Sequence, residues 1–83
     1  MRTIRVLAFA QAADALGFRE REMEVGEGET VRAVMGRLAA EGGRSESEGW
    51  ADWRVALDRE YAGWDAVVGG AKELAVIPPV SGG

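Results

Sequence analysis

The sequence contains no cysteine and no histidine among its 83 residues. Without cysteine there is no disulfide and no thiol nucleophile, and without histidine the most frequent base of enzyme active sites is missing. Nearly all transition-metal sites need one of these two residues, so we predict no metal. The serines have no histidine to activate them. We therefore expect no side chain of this chain to act as a catalytic nucleophile.

Long apolar runs are also missing. No run approaches the roughly 20 residues of a transmembrane helix, and the first residues lack the long apolar stretch of a secretion signal. The 14 acidic residues outnumber the 10 basic ones, for a net charge of −4, which disfavours nucleic acid and anionic membranes as partners. We expect a cytoplasmic protein that binds neither nucleic acid nor membrane and whose protein partners are basic.

Hydrophobic patterning predicts an ordered chain of short elements. Apolar residues make up 47% of the sequence and charged residues 29%, as in globular domains. The main helix is the clearest element, because Thr30 can cap it and its apolar residues follow helical spacing: Val31, Val34, Met35, Leu38 and Ala39. A shorter helix is predicted over residues 10–16, and strands over residues 3–9, 19–25, 53–57, 61–62 and 73–77. Residues 44–49 are predicted to form a surface loop.

This order of elements indicates an α+β fold. It predicts a mixed sheet of four to five strands, covered on one face by the main helix, with an additional short helix after the first strand. That is the outline of a β-grasp, or ubiquitin-like, fold. The first and last strands are the most apolar, so we place them at the centre of the sheet. We predict one domain over residues 1–79 and a flexible tail over residues 80–83.

The carboxyl end has an unusual pattern. Pro78 and Pro79 directly follow the last predicted strand and, lacking N–H donors, end sheet pairing abruptly. The four residues that follow can span about 14 Å when extended. Gly82 and Gly83 carry no Cβ, so a narrow tunnel could close around them, and a partner that holds ATP and Mg²⁺ could activate the carboxylate of Gly83. The alternative is a frayed terminus of small residues.

Several segments together resemble the small-subunit family of molybdopterin synthase, sulfur carriers of the β-grasp type. The resemblance rests on IRVLAFAQ at residues 4–11, ETV at 29–31, VALD at 55–58 and, most specifically, LAVIPPVSGG at 74–83. Sulfur carriers for thiamine synthesis share the fold and the diglycine but usually lack the Pro-Pro-Val-Ser segment before it. This chain departs from the family pattern at residues 70–74 and at Asp58.

The resemblance implies a function for the tail. Gly83, preceded by Gly82, would be adenylated by a ubiquitin-activating-type adenylyltransferase and would receive sulfur from a sulfur-donating transferase as a thiocarboxylate. Residues Pro78, Pro79, Val80 and Ser81 would position the tail. The sulfur would pass to cyclic pyranopterin monophosphate inside the large synthase subunit, in a heterotetramer, to form the molybdopterin dithiolene.

The same resemblance implies that this chain holds no bound cofactor. AMP and sulfur would be attached to Gly83 only transiently, and ATP and Mg²⁺ would come from the activating partner. The chain would be the sulfur-donating subunit of a sulfurtransferase without catalytic side chains of its own. Two alternatives stay open: a sulfur carrier for thiamine or tRNA thiolation, and a non-catalytic ubiquitin-like interaction module.

The family pattern also suggests an apolar docking surface beside the tail, which here falls on Phe9, Tyr61 and Ile77. Ordinary packing is the alternative for these residues. Two further groups are interpreted as structural. A solvated face is expected for the acidic residues Glu20, Glu22, Glu24, Glu27 and Glu29. Packing is expected for the tryptophans Trp50, Trp53 and Trp64.

Overall fold

The computed structural model describes residues 2–41 and 52–79. Within these ranges the elements are β1 (Arg2–Ala8), α1 (Gln11–Leu16), β2 (Glu20–Val25), α2 (Val31–Glu41), β3 (Arg54–Leu57), β4 (Glu60–Ala62) and β5 (Glu73–Ile77). The strands form one sheet in the order β2-β1-β5-β3-β4. Strands β1 and β5 are parallel, and the other neighbouring strands are antiparallel. The predicted mixed sheet of the α+β class is confirmed. The predicted loop at residues 44–49 and Trp50 lie outside the described residues.

The most apolar strands lie inside the sheet, as predicted. Strand β5 has two hydrogen-bonded neighbours, β1 and β3, and its consecutive residues Leu74, Ala75 and Val76 are all buried. Leu74 and Val76 belong to the core beneath α2, whereas Ala75 lies on the opposite face of the sheet. The bounds of β5 agree with the prediction, since the apolar run at residues 74–77 follows Glu73 and is ended by Pro78, which lacks an N–H donor.

Helix α2 covers one face of the sheet with the five side chains predicted from its spacing, Val31, Val34, Met35, Leu38 and Ala39. They share one apolar core with residues of β1 and β5 that include Ile4, Val6 and Val76. The predicted cap is also present, since the Thr30 hydroxyl accepts a hydrogen bond from the Ala33 N–H at 3.2 Å.

Two more N–H groups at the start of α2 are satisfied by the segment before β5. The N–H of Val31 donates to the Ala66 carbonyl at 2.9 Å, and that of Arg32 donates to the Trp64 carbonyl at 2.8 Å. Helices leave their first N–H groups without intrahelical partners, so these bonds fix the 63–68 segment against the helix. Trp53 and Trp64 are half-buried against the core, which confirms the packing interpretation for these two tryptophans.

The boundary between β1 and α1 differs from the prediction by one residue. Strand β1 ends at Ala8 rather than Phe9, and α1 begins at Gln11 rather than Ala10. The N–H of Phe9 still donates to the Val76 carbonyl at 3.2 Å. The next residue, Ala10, has a φ of 50°, which turns the chain out of the sheet. The first positions predicted for β2 and β3 likewise lie just outside those strands.

Glu29 is not on a solvated face, contrary to the prediction. Its side chain is only 17% exposed and pairs with the Arg37 guanidinium at 2.9 Å, and its Oε1 accepts a hydrogen bond from the Gly26 N–H at 2.9 Å. Burial by itself would raise the pKa of Glu29. The Gly26 N–H and the Arg37 charge oppose burial and hold the pKa below its ordinary value of 4.5. Glu20, Glu22 and Glu24 are exposed, as predicted.

The lowered pKa of Glu29 predicts a pH dependence of stability. Because the ionised form favours the folded state, its contribution is present above pH 4.5 and is lost as the pH falls through the lower folded pKa. Glu29→Gln should reduce the free energy of unfolding near neutral pH by about 1 kcal/mol and flatten this acidic part of the profile. Urea unfolding across the acidic range measures both effects.

The matched control for this experiment is Glu27→Gln. Glu27 is exposed, and no ion pair or hydrogen bond of its side chain is found in the described part of the chain. The free energy of unfolding of the Glu27→Gln variant should equal that of the wild type at every pH. Equal profiles for Glu29→Gln and the wild type would contradict the proposed linkage.

The turn between β3 and β4 is formed by Asp58 and Arg59, at φ values of 50° and 72°. A two-residue hairpin turn of type I′ requires positive φ at both positions, which aspartate tolerates better than most residues. The Asp58 Oδ1 also accepts hydrogen bonds from the Lys72 N–H at 2.9 Å and the Glu73 N–H at 3.1 Å. The two departures from the family pattern, at Asp58 and at residues 70–74, therefore contact each other.

Replacing Asp58 tests these hydrogen bonds. Asp58→Ala removes the acceptor and places alanine at positive φ, so we expect a loss of about 1.5 kcal/mol in the free energy of unfolding. Asp58→Asn keeps an oxygen at the same position and should lose less than about 0.5 kcal/mol. Equal losses in the two variants, measured by urea unfolding, would show that the acceptor is unimportant.

Candidate functional site

The sheet face opposite α2 carries a row of four side chains from four strands. Pairing aligns Leu7 with Ala75, Ala75 with Ala56, and Ala56 with Tyr61. Neighbouring strands lie about 4.8 Å apart, so the row spans roughly 14 Å. Two small alanines stand in its middle, between a leucine and a tyrosine. The difference in side-chain size produces a depression across the centre of the sheet.

This depression is a groove with a volume of about 420 Å³. Its lining residues are Leu7, Phe9, Ala56, Arg59, Tyr61, Glu73, Ala75 and Ile77. Ala56 and Ala75 are almost fully buried, at 6% and 7% exposure, although they do not belong to the core beneath α2. Their burial arises from the taller side chains around them, so they form the floor of the groove.

The three residues predicted as a docking surface lie together in this groove. Tyr61 is 71% exposed and Phe9 is 48% exposed, whereas Ile77 is half-buried. Phe9 and Tyr61 do not pack in the core, since both keep large apolar surfaces in water. The structure thus brings together three residues that are far apart in sequence.

Strand β5, which precedes the predicted tail, ends in the lining of this groove. Ile77 is both the last residue of β5 and part of the groove lining. Pro78, which follows it, is buried, and Pro79 is exposed. Val80, Ser81, Gly82 and Gly83 lie outside the described residues. Gly83 follows Ile77 by six residues, a distance of at most about 21 Å along an extended chain.

Five groove residues were not predicted from the sequence: Leu7, Ala56, Arg59, Glu73 and Ala75. Alternation within a strand places Leu7 on the same face as Phe9, and Ala75 on the same face as Ile77. That signal was present in the sequence. The choice of Ala56 and Ala75 as neighbours depends on strand register, which alternation does not give.

Charges are distributed unevenly on this sheet face. At the β3–β4 side, the Arg54 guanidinium stands over the Tyr61 ring, 5.8 Å from its centroid, and Arg59 lines the groove. At the β2 side the exposed side chains are Glu20, Glu22 and Glu24. One of these, Glu20, pairs with Arg5 at 3.3 Å. The apolar groove therefore has cations beside it at one edge of the sheet and carboxylates at the other.

The groove can bind a side chain but shows no catalytic apparatus. It holds neither hydroxyl nucleophiles of serine or threonine nor a lysine among its lining residues. Across residues 2–41 and 52–79, no group of three acidic side chains converges as a metal site would require. Over the same ranges, neither helix is long and apolar enough to cross a bilayer. The arrangement fits a binding surface.

Comparisons with known proteins agree with this geometry. The ThiS family model matches residues 6–83. The molybdopterin synthase sulfur carrier subunit of Arabidopsis thaliana is 34% identical over 80 residues, which cover 96% of this chain and 82% of that protein.

Solved structures confirm the β-grasp fold. A molybdopterin converting factor subunit 1 of Pyrococcus furiosus superimposes with a TM-score of 0.78 at 26% identity, covering 96% of this chain and all of that one. The SAMP1 protein of Haloferax volcanii superimposes with a TM-score of 0.79 at 27% identity, covering 99% of this chain and 100% of that one.

Proposed function

Because this chain belongs to the ThiS family, we propose that it is a sulfur carrier that serves as the small subunit of molybdopterin synthase. The observation that carries the specific role is the 34% identity to the Arabidopsis sulfur carrier subunit over 96% of the chain. Its groove and the predicted tail support a carrier that docks on partners and presents its carboxyl end to them.

The proposed chemistry takes place on the carboxylate of Gly83. A carboxylate oxygen attacks the α-phosphorus of ATP in a ubiquitin-activating-type adenylyltransferase, and pyrophosphate leaves. Hydrosulfide supplied by a sulfur-donating transferase then attacks the carbonyl carbon, the C–O bond to AMP breaks, and the S–H proton passes to solvent. Mg²⁺ on the partner neutralises the phosphate charge. The product is a thiocarboxylate, which carries one sulfur atom.

The thiocarboxylate would act inside the large subunit. Cyclic pyranopterin monophosphate accepts the sulfur there, and two charged carriers are needed for one dithiolene. Acid, base and substrate-binding groups belong to the large subunit, in agreement with a sequence that lacks cysteine and histidine. Pro78, Pro79, Val80, Ser81 and Gly82 deliver the end of the chain into that site. A heterotetramer in the cytoplasm, where ATP is supplied, completes the proposal.

Intact mass measurement tests this function directly. The wild-type protein is incubated with the adenylyltransferase, ATP, Mg²⁺ and a sulfur source. We expect the mass of the chain to increase by the exchange of one oxygen for sulfur, and fragmentation to place the sulfur on Gly83. Mixing this product with the large subunit and cyclic pyranopterin monophosphate should then form molybdopterin. A chain that never accepts sulfur would refute the proposal.

A second candidate function is protein modification. It is favoured by the similarity to SAMP1, the small archaeal modifier protein 1 of Haloferax volcanii. In that case the activated Gly83 carboxylate would form an amide with an amine of another protein. Covalent adducts that survive thiols and denaturant would support modification, and thiazole synthesis or tRNA thiolation without molybdopterin formation would indicate another sulfur acceptor.

A further inference from the structure

We infer that the groove accepts a partner segment that is apolar and acidic, with a bulky apolar side chain between Phe9 and Tyr61 and carboxylates facing Arg54 and Arg59. This inference rests on the proposed function, because it concerns the surface with which the carrier docks. It reverses the expectation from net charge, which favoured basic partners.

The apolar part of the inference follows from the groove itself. Its floor is formed by Ala56 and Ala75, and Phe9 and Tyr61 stand above that floor with 48% and 71% of their surfaces in water. A volume of about 420 Å³ accommodates one or two large side chains. Exposed aromatic side chains such as tyrosine are enriched among the residues that dominate binding energy at protein interfaces.

The acidic part follows from two arginines beside the groove that have no carboxylate partner among the described residues. Four arginines pair with carboxylates in the described residues: Arg5, Arg21, Arg32 and Arg37. Arg54 and Arg59 form no such pair within those ranges. Arg54 is held over the Tyr61 ring, so its position is coupled to the aromatic side chain of the groove. Both guanidiniums keep donors available for carboxylates of a partner.

The carboxylate within the groove does not offset these cations. Glu73 lines the groove together with Arg59, but it also borders a neighbouring depression with Arg5 and Lys72. Glu60 is next to Arg59 in sequence, yet alternation in β4 places it on the face opposite Tyr61. Two strands, β1 and β5, separate the acidic strand β2 from β3 in the sheet. Asp58 also precedes Arg59, but its Oδ1 accepts hydrogen bonds from the Lys72 and Glu73 N–H groups. Two cations therefore stand beside the groove at β3 and β4, on a chain of net charge −4.

This polarity also orients the partner. A segment with carboxylates at the Arg54 and Arg59 end meets repulsion if it is rotated toward Glu20, Glu22 and Glu24 at the other edge. Charged groups around an apolar contact mainly set orientation and association rate, whereas the apolar contact contributes most of the affinity. Docking in a single orientation keeps the end of β5, and hence the start of the tail, at a constant position on the partner.

The test compares two double variants of equal net charge. Arg54→Glu with Arg59→Glu reverses the two cations next to the groove. Arg21→Glu with Arg32→Glu reverses two cations that form ion pairs with Glu41 and Asp65 elsewhere in the fold. Each double variant carries a net charge of −8, since two changes from +1 to −1 are added to −4. Any difference in affinity between the two double variants therefore arises from where the charges lie and not from the total charge.

The measurement is the Kd for the purified molybdopterin synthase large subunit of the same organism, with the carrier in its free carboxylate form. We expect the Arg54/Arg59 variant to bind about 30-fold more weakly than the wild type, and the Arg21/Arg32 variant to stay within about threefold. Raising the salt concentration from about 50 to 500 mM should weaken wild-type binding and have little effect on the Arg54/Arg59 variant. Thermal unfolding confirms that both variants are folded.

The outcomes separate the docking inference from the proposed function. Equal affinities of the two double variants, or tighter binding by the Arg54/Arg59 variant, would overturn the inference. If the wild type still acquires sulfur at Gly83 in that case, the sulfur-carrier function stands alone. If the wild type neither acquires sulfur nor binds the large subunit, both the docking inference and the sulfur-carrier function are refuted.

Discussion

Deleting Gly83 is expected to reduce sulfur transfer to background while the melting temperature stays nearly unchanged. The proposed thiocarboxylate forms on the carboxylate of this residue, and the deletion leaves the carboxylate of Gly82, which is one residue short of the proposed reacting position. In the described part of the chain the β-grasp core comprises residues between Ile4 and Val76, and glycine has no side chain to pack, so we expect the deletion to change the stability little. Intact mass after incubation with the adenylyltransferase, followed by a molybdopterin assay, measures the loss.

Extending the chain beyond Gly83 should also reduce sulfur transfer to background, for a different reason. Additional residues displace the carboxylate from the position at which the adenylyltransferase would hold it, and a tunnel that fits glycine excludes larger side chains. The matched control carries the same extension before Met1. The control should transfer sulfur as the wild type does. Wild-type rates of transfer by the protein extended after Gly83 would show that the carboxylate of Gly83 does no chemistry.

Replacing both Phe9 and Tyr61 with alanine should weaken binding to the large subunit by about 100-fold or more. Each aromatic side chain would be removed from the centre of an interface, where truncation typically costs 2 kcal/mol or more, and a factor of ten corresponds to about 1.4 kcal/mol. Stability should change by less than about 1 kcal/mol, since Tyr61 is 71% and Phe9 48% exposed in the free protein. Titration calorimetry measures the affinity, and urea unfolding measures the stability.

Val67→Ala is the matched control for this double variant. Val67 is also a large exposed apolar residue, at 52%, but it lies outside the groove and pairs with Thr30 at the start of α2. Its replacement should leave the affinity within about twofold of the wild type. If Phe9 and Tyr61 can be removed with as little effect as Val67, the large subunit does not use the groove.

The local elements were largely predictable because they depend on near neighbours in sequence. The five buried residues of α2 follow from helical spacing alone, and the bounds of β5 follow from an apolar run between Glu73 and Pro78. Errors occurred where a single backbone angle decided the boundary, as at Ala10 with its positive φ. Such an angle leaves little signal in a residue as common as alanine.

Glu29 shows a different kind of error. Its neighbours in sequence, Glu27 and Gly28, suggested a solvated acidic segment. In the fold, the Glu29 carboxylate forms an ion pair with Arg37 in α2 and accepts a hydrogen bond from the Gly26 N–H in the preceding turn. Partners that are brought together by a turn and a helix are not visible in composition. The pKa of Glu29 is therefore lowered by a contact that only the folded chain contains.

The sequence by itself determined the types of element, the absence of cysteine and histidine chemistry, and the proline pair ahead of Gly82 and Gly83. All of these depend on residue identity or on spacing along the chain, which folding does not alter. Only the tertiary structure decided that Ala56 and Ala75 form the floor of a groove between Phe9 and Tyr61, with Arg54 and Arg59 beside it. The physical reason is register, because the pairing of strands distant in sequence decides which side chains become neighbours.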